Sequence, residues 1–170
     1  ITANLIELNQ EKFEPKEIGD IGLVALLQNS GGWETSGQFM DMPIEERKSK
    51  FIASNEKNQN NLQMYNVNKD VLEAISYCYD FQSGNLDFFQ DDSKTAKYAK
   101  ITSVAGTFNE AIAGLWGPAR APREVIDSLY VQATANKIPK SLVDSLAKGL
   151  KFHDLFDFYR ELDILNNLCK

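Results

Sequence analysis

The stretch from Pro122 to Leu168, PREVIDSLYVQATANKIPKSLVDSLAKGLKFHDLFDFYRELDILNNL, decides the fold class. Within it, Pro122-Arg-Glu-Val-Ile-Asp-Ser-Leu129 is echoed by Pro139-Lys-Ser-Leu-Val-Asp-Ser-Leu146. Each copy reads proline, a basic residue, any residue, two aliphatics and Asp-Ser-Leu. Proline's fixed φ suits the first position of a helix. The aliphatic pair and the final leucine then fall on one face. The echo is read as two similar helix starts, not as an internal duplication, and it predicts a helical hairpin turning near Asn136. Beyond the hairpin, Phe152, Leu155, Phe156, Tyr159, Leu162, Leu165 and Leu168 recur at spacings of three and four. That spacing predicts an amphipathic helix over Lys151–Leu168.

The same periodicity extends back toward the N-terminus. Gly117-Pro118-Ala119-Arg120-Ala121-Pro122 is a proline-bounded connector. Ser93 is placed to cap a long helix from Lys94 to about Trp116, with a kink expected at Gly106 or Gly114. Asn68 caps a helix over Lys69–Tyr79 whose apolar face is Val71, Leu72, Ile75, Cys78 and Tyr79. Asp41-Met42-Pro43 starts a helix with Glu45 and Glu46 in its first turn, where the helix dipole favours anions. This helix is expected to end near Ser54. The polar run Asn55–Asn61 (NEKNQNN) then reads as a flexible exposed loop. Ile18–Asn29 offers Ile21, Val24, Ala25 and Leu27 for one helical face, although Gly19 and Gly22 weaken it by ~1 kcal/mol each relative to alanine. Asn29-Ser30-Gly31-Gly32 stops it.

No alternating run bounded by Asn-Gly or Asp-Gly turns is present, so strand signals are scarce. The expectation is an all-α, single-domain bundle of six to seven helices with long connecting loops. Residues 1–17 read as an N-terminal arm or a short helix, and 18–170 as the helical domain. A chain of 170 residues with 43% hydrophobic and 25% charged residues has the composition of a globular domain. It can bury roughly two-thirds of its unfolded surface without a metal or disulfide.

The net charge of −6 opposes loose binding to nucleic acid or anionic membrane. It is unevenly spread: residues 1–93 carry −9 and residues 94–170 carry +3. Folding either mixes these halves or leaves the molecule electrically two-faced. No apolar run approaches the ~20 residues of a membrane-spanning helix. Cys78 and Cys169 form no CxxC pair, which argues against zinc. They read as reduced thiols, with a disulfide open to them only in an oxidising compartment. There is no N-x-S/T sequon, and the first residue, Ile1, suits a processed, trimmed or cleaved terminus.

Four residue sets bear on function. His153 is the sole histidine and lies four residues before Asp157, so one imidazole and one carboxylate share a helical face, with Asp154 and Glu161 nearby. Such a set holds a divalent metal only with help from a second helix. Asp80–Asp87 lacks the offsets and closing glutamate of a calcium loop. Lys94, Lys97 and Lys100 line one side of a helix, and with Arg120 and Arg123 could track phosphates. Trp33, Phe39, Met40, Met42, Phe88 and Phe89 put much apolar surface on irregular segments, either capping the core or forming an interface. Phosphate-binding glycine loops, GxSxG and HExxH are absent.

The leading reading is a non-catalytic protein–protein interaction or self-assembly module, its partner a second copy or another protein. In it, Trp33, Phe39, Met40, Met42, Phe88 and Phe89 make the contact, the acidic face of one copy meets the basic face of the next, and no cofactor is needed. The alternative is a nucleic-acid-coating subunit of viral coat or nucleocapsid type, bound through Lys94, Lys97, Lys100, Arg120 and Arg123. The third is a metal-dependent hydrolase centred on His153.

Overall fold

The computed structural model describes Thr2, residues 12–28 and residues 39–168, the side chains of Met40 and of 163–168 excepted. Among the described residues there are seven helices and no strand: α1 (Pro15–Leu27), α2 (Ile44–Met64), α3 (Lys69–Gln82), α4 (Lys94–Ala113), α5 (Pro122–Thr134), α6 (Lys140–Gly149) and α7 (His153–Leu168). Short 3-10 turns at Phe39–Asp41 and Asp87–Gln90 precede α2 and α4.

Helix α4 is the hub. Residues Thr95, Ala96, Tyr98, Ala99, Lys100, Ile101, Thr102, Ser103, Val104, Ala105 and Phe108 are all buried. A helix buried on nearly every side must be a core element. Its many small residues let neighbours approach closely. Helices α1 and α3 pack on α4 and on each other, and α2 packs on α3. Helices α5 and α6 also pack on α4 and on each other, and α7 packs on α6. Contact between the α1–α3 group and the α5–α7 group is at most marginal. The α1–α3 group and the α5–α7 group are thus joined mainly through α4.

The caps fall where the residues predict. Asn68 Oδ1 accepts from Asp70 N at 3.1 Å, and Ser93 Oγ accepts from Ala96 N at 3.3 Å. The hairpin turns at Asn136, which adopts a left-handed φ of 56°. Equivalent aspartates of the two echoed segments do the same work. Asp144 accepts the Tyr130 hydroxyl at 2.9 Å, and Asp127 accepts the Tyr159 hydroxyl at 2.7 Å. Tyr130 and Tyr159 stack with centroids 4.2 Å apart. Burial and the Asp127 carboxylate push the Tyr159 phenol up to about 12.

Three expectations need correction. The run Asn55–Asn61 is not a loop but the continuation of α2 to Met64. The buried residues of α2 are Arg47, Phe51, Asn55, Asn58 and Leu62, a stripe at spacings of four and three. Asparagine occupies two core-facing positions because each finds partners across helices. Asn55 Nδ2 donates to Gln82 Oε1 at 3.0 Å, while Asn58 Nδ2 donates to Leu27 O at 3.0 Å and to the Tyr79 hydroxyl at 2.8 Å. Asn55 is only half satisfied, since its Oδ1 is buried with no hydrogen-bond partner among the described residues.

The second correction concerns α4, which ends at Ala113 instead of Trp116. Gly114 takes a left-handed φ of +71°, and Leu115 N closes on Glu110 O at 3.0 Å, so the chain turns instead of kinking. The third concerns the first helix, which starts at Pro15, three residues inside the expected arm. Pro15 suits the first helical position, and Glu17 Oε2 accepts from Glu14 N at 2.8 Å, satisfying a free donor at the helix entry.

Candidate functional site

The aromatic and methionine set lies mostly against the core. Phe39 and Phe88 are buried, and Met42 and Phe89 are half-buried. Phe39 meets Trp116 edge-on at 6.3 Å. Phe88 stacks on Tyr77 at 5.4 Å and on Phe89 at 4.4 Å, and Phe81 meets both edge-on. The two 3-10 turns aim these rings inward, so Phe39, Phe88 and Phe89 cap the bundle. Trp33 and the Met40 side chain lie outside the described residues.

The exposed apolar surface lies elsewhere. On α1, Ile21 and Val24 face the core, while Ile18, Leu23 and Leu26 stand exposed, Leu26 at 74%. Gly19 and Gly22 share this outer face, and nothing approaches within 4 Å of where their Cβ atoms would be. The C-terminal half of α2 borders α1 through the Asn58–Leu27 bond, and the following corner does so through Asn68 and Asp20. At that end Met64 and Tyr65 are 75% and 77% exposed. Across α4, Val131 on α5 and Phe158 on α7 are 60% and 57% exposed. They flank a seam held by the Arg123–Asp154 ion pair, the Tyr159–Asp127 bond and the Tyr130–Tyr159 stack.

The structure brings Lys94, Lys97 and Lys100 onto the first turns of α4 but gives them internal partners. Lys94 Nζ lies 3.4 Å from Asp70 Oδ2. Lys100 is buried, donating to Asp91 O at 2.6 Å with Asp92 at 3.9 Å. Lys97 is half-buried, at a cleft with Phe13, Asp92 and Pro139. Arg120 donates to Glu124 O at 3.0 Å, and Arg123 pairs with Asp154. The Ser93 backbone and hydroxyl hold the Asp91 carboxyl below the usual range. The Arg123 guanidinium does the same for Asp154.

His153 is exposed at the start of α7. Of its acidic neighbours, Asp154 is held by Arg123 and Asp157 lies 3.3 Å from Arg160. Among the described residues, no group of three or more His, Cys, Asp or Glu side chains converges as a metal site.

Sequence reasoning missed a cavity of about 240 Å³ beside α4. Helix α2 supplies Phe51 and Ile52 to its wall, and α3 supplies Cys78, Phe81 and Gln82. Helix α4 supplies Ser103, Gly106, Thr107 and Glu110, while Gln28 and Trp116 close the ends. The turn at Gly114 folds Trp116 back so that its Nε1 donates to Glu110 Oε2 at 2.8 Å. Burial pushes the Glu110 carboxyl up, against the pull of hydrogen bonds from Trp116 and Gln82. Cys78 at the floor is pushed up to about 11 by burial, although Thr102 Oγ1 at 3.2 Å pulls the other way, so it is a poor nucleophile. Arg47, buried under the same end, donates to Met42 O at 3.0 Å and Leu115 O at 2.6 Å and ties the two connectors together. The sequence held one usable signal, a glycine four residues after Glu110 and two before a tryptophan.

No protein-family model, curated protein or solved structure matches this chain. Among the described residues, no helix is long and apolar enough to cross a membrane.

Proposed function

We propose that this protein is a non-catalytic self-assembly module whose copies associate head to tail. The carrying observation is the presence of two separate exposed apolar surfaces, one on α1 and the α2–α3 corner and the other on α5 and α7. Ile18, Leu23 and Leu26 of α1, with Met64 and Tyr65 nearby, form the first. Val131 and Phe158 form the second.

Apolar centres supply the affinity of such a contact. The open shelf at Gly19 and Gly22 accepts a projecting side chain such as Val131 or Phe158 of a second copy. Glycine on an exposed helix face costs about 1 kcal/mol relative to alanine, a cost that close packing would offset. Because two different surfaces meet, the contact is heterologous and either closes into a ring or runs on as a filament.

Light scattering coupled to gel filtration, over a range of protein concentration, tests the reading. The expected result is mass rising above the 19.1 kDa monomer with concentration. A mass fixed at 19.1 kDa at every concentration would remove the proposal.

A further inference from the structure

We propose that the cavity beside α4 binds a small organic ammonium compound, with Glu110 taking the cationic nitrogen and the aromatic walls taking an aryl or branched alkyl body. The walls are Phe51, Phe81 and Trp116, and Phe51 meets Trp116 edge-on at 5.1 Å. At about 240 Å³ the space lies below the ~300 Å³ where drug-sized sites begin, so the occupant is small.

The polar groups select its charge. Burial pushes the Glu110 carboxyl up, but the Trp116 indole at 2.8 Å and the Gln82 amide fix it in place and favour the ionised form. Gln82 is itself fixed by Asn55 Nδ2 at 3.0 Å. The carboxylate is thus held rigidly at the wall of a largely apolar space. Lys48, the cation among the described lining residues, is drawn to Glu45 Oε1 at 3.1 Å and leaves Glu110 uncompensated. An anionic guest would be repelled, and a neutral one would leave the charge unpaired. An ammonium group compensates it and is also favoured over aromatic faces. Gln28 Nε2 lies across the cavity, 3.9 Å from where a Cβ on Gly106 would be.

The test is titration of the intact chain with 2-phenylethylamine, 2-phenylethanol and phenylacetate, following the indole N–H resonance of Trp116. The amine is expected to give a saturable shift and to bind at least about tenfold more tightly than the alcohol, the difference one charge-assisted contact supplies. Phenylacetate is expected not to bind. Glu110→Gln, its fold checked by circular dichroism, should erase the preference for the amine. Ile52→Arg, on the half-exposed wall of the cavity, should abolish amine binding without touching the core. Equal binding of amine and alcohol, tighter binding of phenylacetate, or no saturable shift with any of the three would overturn the proposal.

Discussion

Two glycines of the central helix should respond oppositely to the same substitution. Gly106 lies inside α4, and a Cβ there would meet only Gln28 Nε2 at 3.9 Å, an ordinary contact. Gly106→Ala therefore gains helix propensity, roughly 1 kcal/mol, with nothing to displace. Gly114 ends the helix at φ +71°, and a Cβ there would lie 2.9 Å from Ala119 N and 3.1 Å from Gly117 O. The left-handed conformation alone costs a non-glycine residue roughly 1–2 kcal/mol. The neighbouring atoms are backbone, so no rotamer change relieves the contact, and overpacking of this kind adds roughly 1–3 kcal/mol. Restricting the unfolded chain returns roughly 0.4–1 kcal/mol in the variant's favour. The net for Gly114→Ala is a loss of roughly 1–4.5 kcal/mol.

For a chain of this length each kcal/mol moves Tm by roughly 2–4 °C. Gly106→Ala should thus melt about 2–4 °C higher than the parent, and Gly114→Ala at least about 2–4 °C lower. Urea unfolding followed by far-ultraviolet circular dichroism, with unchanged m values, is the assay. Shifts of the same sign, or a neutral Gly114→Ala, would refute the geometry assigned to the end of α4 and with it the placement of Trp116 on Glu110.

Arg47→Met should lose about 2–4 kcal/mol in the same urea assay, because two carbonyls lose a charged donor at a buried junction. Native Cys78 should resist thiol reagents at neutral pH and react on unfolding, since the thiol is buried and pushed up to about 11. Stability should pass through a maximum in mild acid. Glu110 titrates above its ordinary 4.5 in the fold, so its destabilising effect at neutral pH is relieved as pH falls through its raised value toward 4.5. Asp91 and Asp154 titrate below their ordinary 3.8, so their contribution is present above 3.8 and is lost as pH falls through their lowered values. Melting temperature against pH should show the rise in the parent and lose it in Glu110→Gln; a flat parent profile would refute the burial of that carboxyl.

Much of the bundle was legible in the sequence because local signals agreed with the tertiary packing. Pro122, Pro139, Asn68 and Ser93 start helices by chemistry local to the chain, and Asn136 turns the hairpin for the same reason. Where partners come from distant residues, local reading failed. Asn55 and Asn58 look like loop residues until Gln82, Leu27 and Tyr79 are seen to engage their amides. The spacing Phe51–Asn55–Asn58–Leu62 carried the helix through that polar run, but composition masked it. The cavity was illegible for a similar reason. Nothing in the sequence separates Glu110 from the other 23 acidic residues until the Gly114 turn sets Trp116 against it. Lys100, read as a surface charge, is buried because the carbonyl of Asp91 reaches its amine.

Head-to-tail association is tested most directly by two variants that each damage one surface. Leu26→Asp spoils the α1 face and leaves the α5–α7 seam intact, and Val131→Asp does the reverse. Each alone should remain at the 19.1 kDa monomer mass under conditions where the parent assembles. Mixed in equal amounts, they should form a one-to-one dimer, because the intact seam of one meets the intact α1 face of the other and growth stops there. Two variants that stay monomeric when mixed, or a Val131→Asp protein that assembles as well as the parent, would contradict a contact between these two surfaces.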